Sequence, residues 1–475
     1  MPPVPGFANG SYVSRSGMMA GERCMNLFPE LVPMGGKTRS ALVPAPGLTS
    51  FASLSTGPGR GIFAQDGRVF TVYGTTLWEL YQNGTSTNRG TVAIDANPVT
   101  FDTNGDGGGQ LLITSGDLGY IFTLSTNVLT QPVANVTFGG QIDGFFTALD
   151  ADTSTLRISA SLDGATWTQS AQRTAFSDPW LAMITVEREA VLIGETTGEV
   201  WHNAGRSPFP FALRSGGEVQ VGILAPFSLA RFGGSCAWLG RTEHGSYRVF
   251  WMNGYTPVPI STPGIDWIIQ TYVDGGSANN ALGWSYEREG HQCYVLHFPD
   301  ERAWVYDLST NQWHERGYWD TSVARFTGYR PLFHATAWGR NLVCDSDGTD
   351  VYSLSSTTYT DAGGAALLRQ RRTPHQSQEN ARLCFPYFEL ECQKGVGLTS
   401  GQGSAPLVGL RYSNDGGNTW GERRDRSVGA RGNYTQRVRW DLCGSGRDRV
   451  WELSSSDPVA TVWFDAYTDV ETCLN

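Results

Sequence analysis

Between Glu187 and Gly317 the chain repeats one scheme: a turn rich in Gly or charge, four to six β-forming residues, a second turn, and another β-run carrying an aromatic. Counted over the whole chain there are seven such pairs. They are Arg68–Tyr73 with Thr76–Leu80, Gln110–Thr114 with Gly119–Leu124, Gly144–Ala148 with Leu156–Ala160, and Ala190–Gly194 with Gly198–His202. Ser235–Leu239 with Tyr247–Trp251, His291–Phe298 with Arg302–Asp307, and Asn341–Asp345 with Asp350–Leu354 complete the set. A recurrence of about 45 residues is the period of propeller blades. A lone sheet of this kind cannot bury its own faces, whereas a closed ring of sheets can. The second run of most pairs ends near Trp78, Phe122, Trp201, Trp251, Trp304 or Tyr352, where a large flat side chain would fill the wedge between neighbouring sheets. The expected fold class is therefore all-β: a β-propeller of seven blades, or of six if the irregular 134–175 region is an insertion, with a further β domain behind it.

The rhythm breaks at Asp361–Asn380, which starts with small residues, carries Arg369, Arg371 and Arg372, and contains Pro374. Residues 366–380 read as a linker between a propeller over 46–365 and a C-terminal platform domain over 381–475. Within the latter, Ala381–Cys392, Val408–Ser413, Gln436–Leu442, Arg449–Ser454 and Ala460–Thr468 alternate like strands of a sandwich. Residues 1–45, with Pro2, Pro3 and Pro5, read as an extended segment that needs a host surface, and the platform domain is the expected host. No helical pattern longer than about ten residues stands out.

With 58 Gly, 12% aromatic and 17% charged residues, the composition is that of an ordered, turn-rich β protein. No apolar run approaches the roughly 20 residues of a membrane span, and the amino terminus lacks the basic-then-apolar order of a secretory signal. The eight cysteines form no Cys-x-x-Cys pair and read as reduced, mostly buried thiols. Charge is uneven. Residues 366–475 hold 14 basic and 13 acidic side chains; the other 365 hold 21 and 32, a balance of −11. Over most of its length such a chain repels phosphate rather than gripping duplex DNA.

Two segments, Ser413-Asn-Asp415-Gly-Gly417-Asn-Thr-Trp420 and the shorter Ser161-Leu-Asp163-Gly-Ala-Thr-Trp167, fit the Asp-box pattern. In such a turn the carboxylate accepts bonds from turn amides, Gly allows positive φ and Trp packs beneath. Propeller sialidases carry these boxes away from their catalytic centres, and the Phe/Tyr-Arg-Ile-Pro opening of those enzymes is missing. An exo-glycosidase, or a carbohydrate-binding propeller, is thus the alternative reading. Asp102-Thr-Asn-Gly-Asp106-Gly imitates a calcium loop but has Ile113 where the bidentate Glu belongs, and reads as a hairpin turn. The seven histidines show no metal-ligand spacing, and no nucleophile elbow, P-loop or zinc-protease motif occurs. No catalytic residue, cofactor or metal is expected. The densest basic group (Arg369, Arg371, Arg372, Arg423, Arg424, Arg426, Arg431, Arg437 and Arg439) is either a solvated strand edge or an assembly surface, and the preference for Arg over Lys favours the surface.

An ordered set of phrases adds a resemblance. Asn26-Leu-Phe-Pro-Glu30, Pro46–Phe51, Gly119-Tyr-Ile-Phe122, Ile142–Phe146 and Gly198-Glu-Val-Trp201 come in this order. Asn253-Gly-Tyr255, Tyr286–Phe298, Trp304-Val-Tyr-Asp307 and Trp313-His-Glu-Arg-Gly317 follow. The set resembles the packaged-DNA stabilisation proteins of short-tailed phages, the tail hub or nozzle family. The resemblance implies a non-enzymatic virion component, assembled in the host cytoplasm. It implies a homohexameric ring below the portal adaptor that retains DNA, lets it pass without sequence-specific binding, and anchors a tail needle or tailspikes. It carries no catalytic residue onto this chain. The arginines at 369–372 and 423–426 are the expected contact with an acidic adaptor surface or the next subunit.

Overall fold

The computed structural model describes residues 2–33, 36–150, 153–173, 175–299 and 301–473. Each pair counted in the sequence forms the second and third strands of one antiparallel sheet, with registers such as Val191↔Val200 and Val343↔Tyr352. Around these pairs lie seven consecutive sheets, over 59–91, 100–134, 136–172, 180–219, 222–259, 282–316 and 331–355. The central strands are buried on both faces, so their apolar runs are the legible part. Fourth strands such as Ser86–Thr91 and Gln169–Gln172 are polar, half-buried or exposed, and leave little trace in the sequence.

The first strand of each sheet, or in the fifth its companion Ala230–Phe232, lies beside the first strand of the next, and the seventh returns to the first. Closure uses the chain itself. Gly47–Ser53, which precedes the first sheet, is the fourth strand of the seventh, pairing Val351↔Ala52 and Leu354↔Leu48. Apolar clusters fill the wedges between sheets: Phe70 meets Phe122 at 5.3 Å and Phe145 meets Phe211 at 5.9 Å, while Trp201, Trp304 and Tyr352 sit in similar clusters. Toward the axis the sheets converge until only glycine fits. A Cβ on Gly140 would lie 2.4 Å from Cγ2 of Thr185, and one on Gly283 only 1.9 Å from the carbonyl oxygen of Ser228.

The reading without long helices needs correction. Pro263–Asp274 is a 12-residue helix between the fifth and sixth sheets, with Pro at its start and the Thr262 hydroxyl accepting from the Ile265 N–H. It buries Ile265, Ile268 and Ile269 against Tyr294, Leu296 and Trp304. Its Ile, Val, Tyr and Trp content favours strand by propensity, and tertiary burial decides otherwise.

Behind the ring stands a sandwich of two sheets. One takes Leu27–Leu31, Ser40–Pro44, Trp463–Thr468, Tyr387–Cys392 and Val438–Asp441; the other takes Gly21–Met25, Arg369–Arg372, Asp448–Ser455, Leu407–Ser413 and Arg424–Ser427. Between them Phe388, Leu410, Trp440, Trp451, Leu453 and Trp463 form the core. The amino-terminal strands are thus members of both sheets. Residues 366–380 are not a linker, because Arg369–Arg372 is a strand laddered between Gly21–Met25 and Asp448–Ser455. One cysteine pair also departs from the all-thiol reading. Cys384 and Cys473, 5.4 Å apart at Cα, form a disulfide across 89 residues, while the other six are buried thiols.

Candidate assembly surface and the joint between ring and sandwich

The first three candidate arginines turn inward, which corrects their assignment to a surface. Arg369 and Arg371 are fully buried. Arg371 donates to the carbonyls of Gly6, Gly10 and Arg23, and so ties the amino-terminal segment onto the sandwich. Arg369 holds the carbonyls of Val459 and Asp457, and burial lowers its pKa to about 10. Arg372 pairs with the buried Glu452 at 2.9 Å. A guanidinium offers five donors in a rigid fork, so one side chain satisfies several buried carbonyls at once. Composition alone does not tell such an arginine from a solvated one.

Arg423, Arg424 and Arg426 lie at the surface, on and beside the edge strand Arg424–Ser427. Arg423 pairs with Asp425 at 2.8 Å, both half in solvent. Arg424 and Arg426 reach across to the edge strand of the other sheet, donating to the carbonyls of Asp441 and Arg439 at 3.0 and 2.9 Å. They stitch the open seam of the sandwich while keeping part of each guanidinium exposed. Arg437 clasps Glu389, and Arg439 lies 3.8 Å over the Tyr387 ring. Beside the seam Leu442 is 86% exposed at φ 58°, a conformation that costs a branched side chain energy, with no apolar burial in return.

The two aspartate turns are tight and local. Asp415 accepts from the Ser413 hydroxyl at 2.6 Å, from the amides of Asn418 and Thr419 at 3.0 and 2.9 Å, and from the Thr419 hydroxyl. These bonds, that from Ser413 foremost, hold its carboxyl well below the usual carboxylate range. Trp420 donates to Gly417 and is flanked by Arg372 and Arg411 at 4.7 and 5.0 Å. Asp163 accepts from Ala165 and Thr166, and Trp167 donates to Gly164 at 2.7 Å and packs on Val133, Val136 and Phe146. A 460 Å³ cavity opens where the first strands converge, lined in part by Asp102, Gln141, Thr185 and Arg231; neither turn aspartate borders it. Among the described residues no group of three or more His, Cys, Asp or Glu is placed to hold a metal.

The polar centre that sequence reasoning did not single out joins the two domains. Gln312–Arg316, the outer strand of the sixth sheet, pairs in parallel with Gly21–Met25, so that one continuous sheet runs from ring to sandwich. Glu315 on that strand is fully buried; it accepts from Arg23 at 3.0 Å, Arg302 at 2.9 Å and the Ser11 hydroxyl at 3.0 Å. Next to it Asn26, at φ 53°, donates to the carbonyls of Gly317 and Leu368, each at 2.9 Å, and accepts from the Gly317 amide at 3.1 Å. Asn26→Ala leaves three buried backbone groups unpaired, and a loss of about 2–3 kcal/mol is expected by urea titration. The phrases Asn26–Glu30 and Trp313–Gly317, far apart in sequence, meet here.

A closed ring of sheets joined edge to edge with a sandwich defines a β-propeller–sandwich protein. Residues 5–359 match the family model described as the β-propeller of bacteriophage P22 Gp10, and residues 368–471 match that described as its β-sandwich. The chain belongs to this family of phage packaged-DNA stabilisation proteins and is a structural protein of the phage tail. No curated protein sequence matches it. Solved structures similar to it include the mitotic checkpoint complex (9% identity, 66% of this chain, 94% of that chain, TM-score 0.40). Others are the amino-terminal domain of Nup159 (9%, 71% and 99%, TM-score 0.41) and the WD40 domain of Neurospora crassa Pan2 (10%, 65% and 96%, TM-score 0.40). All three are distant.

Proposed function

We propose that six copies of this chain form a ring below the portal and its adaptor, with a seven-bladed propeller in each subunit. The ring retains the packaged DNA, provides the duct through which it leaves, and anchors a tail needle or tailspikes. The observation that carries this reading is the match of both domains, over 5–359 and 368–471, to one phage stabilisation family. The −11 balance of residues 1–365 supports a duct that does not hold the DNA it must release. The protein acts without catalysis, and the Asp163 and Asp415 turns are Asp-box staples of their hairpins.

In this reading the exposed arginines Arg423, Arg424 and Arg426 contact carboxylates of the adaptor or the next subunit, in paired bonds that weaken with salt. Arg424 and Arg426 also stitch the sandwich seam, so Arg423→Glu is the cleaner test. Co-sedimentation with the portal–adaptor complex across a salt series should show weakened attachment at an unchanged melting temperature. Full attachment at every salt concentration would remove the electrostatic contact. A trimer or dodecamer in assembled tails, seen by electron microscopy, would remove the six-fold ring.

A further inference from the structure

The joint between ring and sandwich carries an ionisable group that nothing in the described fold satisfies. His314 lies on the Gln312–Arg316 strand, two residues before Arg316, and its ring is fully buried with neither nitrogen hydrogen-bonded. Buried polar side chains are nearly always paired, so an orphaned imidazole calls for a reason. Its ring lies 6.3 Å from that of Phe28, which the sandwich strand Leu27–Leu31 presses into the joint. The same phenyl ring has Arg316 at 5.9 Å and His291 edge-on at 4.9 Å. Arg316 is itself buried and donates to the carbonyl of Leu27 across the joint, with no carboxylate within ion-pairing distance among the described residues.

The charges around His314 are therefore mostly positive. On its own strand it has Arg316; on the neighbouring strands of the sheet stand His291, which is bonded at 2.6 Å to Asp307, and the neutral thiol Cys293. The field of Arg316 also reaches Tyr286 and Tyr329, both neutral phenols. From the sandwich side Glu30, and from the turn before His291 Glu289, both act on His291. Asp307 is already committed to His291 and Ser309. A second proton on His314 would find a buried cation beside it and no acceptor.

We propose that this joint is an acid-sensitive latch, closed while His314 is neutral and opened when the ring must leave the Phe28–Arg316 pocket to take up a proton. The consequence is a loosening of the sandwich from the sixth sheet under mildly acidic conditions, with the remaining sheets intact. Burial first, then Arg316 and His291, push the His314 imidazole well below its ordinary value. Once released it ionises near pH 6.5. The opened form therefore binds a proton that the closed form refuses, and the closed state weakens as pH falls below about 6.5, by up to about tenfold per unit. His291 acts in the opposite sense. Its hydrogen bond to Asp307 raises its pKa, so its contribution is complete below the ordinary value and is lost only as pH rises through the raised one. Asp307 is held below the ordinary carboxylate range, so its own contribution is lost at more acid pH, outside the window between 6.5 and 5.

The test is hydrogen exchange of the full-length protein at pH 7.5, 6.5 and 5.5, corrected for intrinsic rates and read on peptides covering 21–31 and 312–316. In the native protein protection there should fall about fivefold between pH 6.5 and 5.5, while the 69–80 hairpin keeps its protection. In His314→Gln, which takes up no proton, protection should be independent of pH over this range, and His291→Gln should retain the fall. Equal decline in native protein and His314→Gln, or none in the native protein, overturns the proposal. If His314→Gln does not fold, an NMR titration of the His314 ring in the native chain decides instead. Protonation near pH 6.5 with the joint still protected overturns the latch; absence of protonation until protection is lost supports it.

Discussion

Glu315→Ala is expected to lower the stability of the folded chain by about 3–4 kcal/mol, the largest effect of any single change at the joint. The carboxylate is fully buried and takes three donors, two of them guanidinium groups. Removing it leaves Arg23 and Arg302 without their shared anion and the Ser11 hydroxyl without its acceptor. Both arginines keep some contact with water, which places the effect near the lower end of what an orphaned buried charge costs. Urea denaturation followed by tryptophan fluorescence should show a lower midpoint, and limited proteolysis should cut first between 1 and 25. Glu315→Gln keeps one acceptor and should lose less. A change below about 1 kcal/mol in Glu315→Ala would mean that the parallel pairing of Met25 with Glu315 holds the domains without the charges.

Gly283→Ala should cost about 3 kcal/mol by a different route. The new methyl would sit 1.9 Å from the carbonyl oxygen of Ser228, a backbone atom fixed in the turn at Pro226–Ser228, and within 2.9 Å of the Tyr294 hydroxyl, which donates to that same carbonyl. Neither neighbour is the free end of a flexible side chain, so the fifth and sixth sheets must part, and overpacking of this kind costs 1–3 kcal/mol or more. Gly290→Ala, in an open hairpin turn where a methyl meets nothing within 4 Å, is the control; its strain is confined to φ 87°. The two melting curves should differ by several degrees. Equal melting temperatures would show that the ring yields at that wedge.

Of the candidate surface, the sequence located the basic residues but not their directions. Arg369 and Arg371 look no different from Arg423 in composition, yet the first two are buried donors to carbonyls of residues 6–23 and 457–459, and the last is half in solvent. The distinction depends on which carbonyls arrive near them: for Arg371 those of an amino-terminal segment over 340 residues away, for Arg369 those of residues 457 and 459, some 90 residues on. Asp163 and Asp415 were legible because their partners lie within four residues, and a turn needs no distant partner to form.

The chain alone determined the repeat. Seven pairs of central strands, buried on both faces, wrote their apolar runs and turn glycines into the sequence at a regular spacing. Tertiary structure decided what lies at the edges of those sheets and between the domains. First strands such as Val136–Ile142 and Leu282–Arg288 hold glycines because backbones converge there; the polar fourth strands are recruited by ladder hydrogen bonds. The Pro263–Asp274 helix follows burial against its propensity. Gly47–Ser53 closes the ring from outside its own repeat, and Arg369–Arg372, polar enough to pass for a linker, is a strand in the middle of a sheet. The physical reason is common to these cases. Periodicity records which face of a segment is dry, whereas backbone pairing and buried charge record which distant segment arrives beside it.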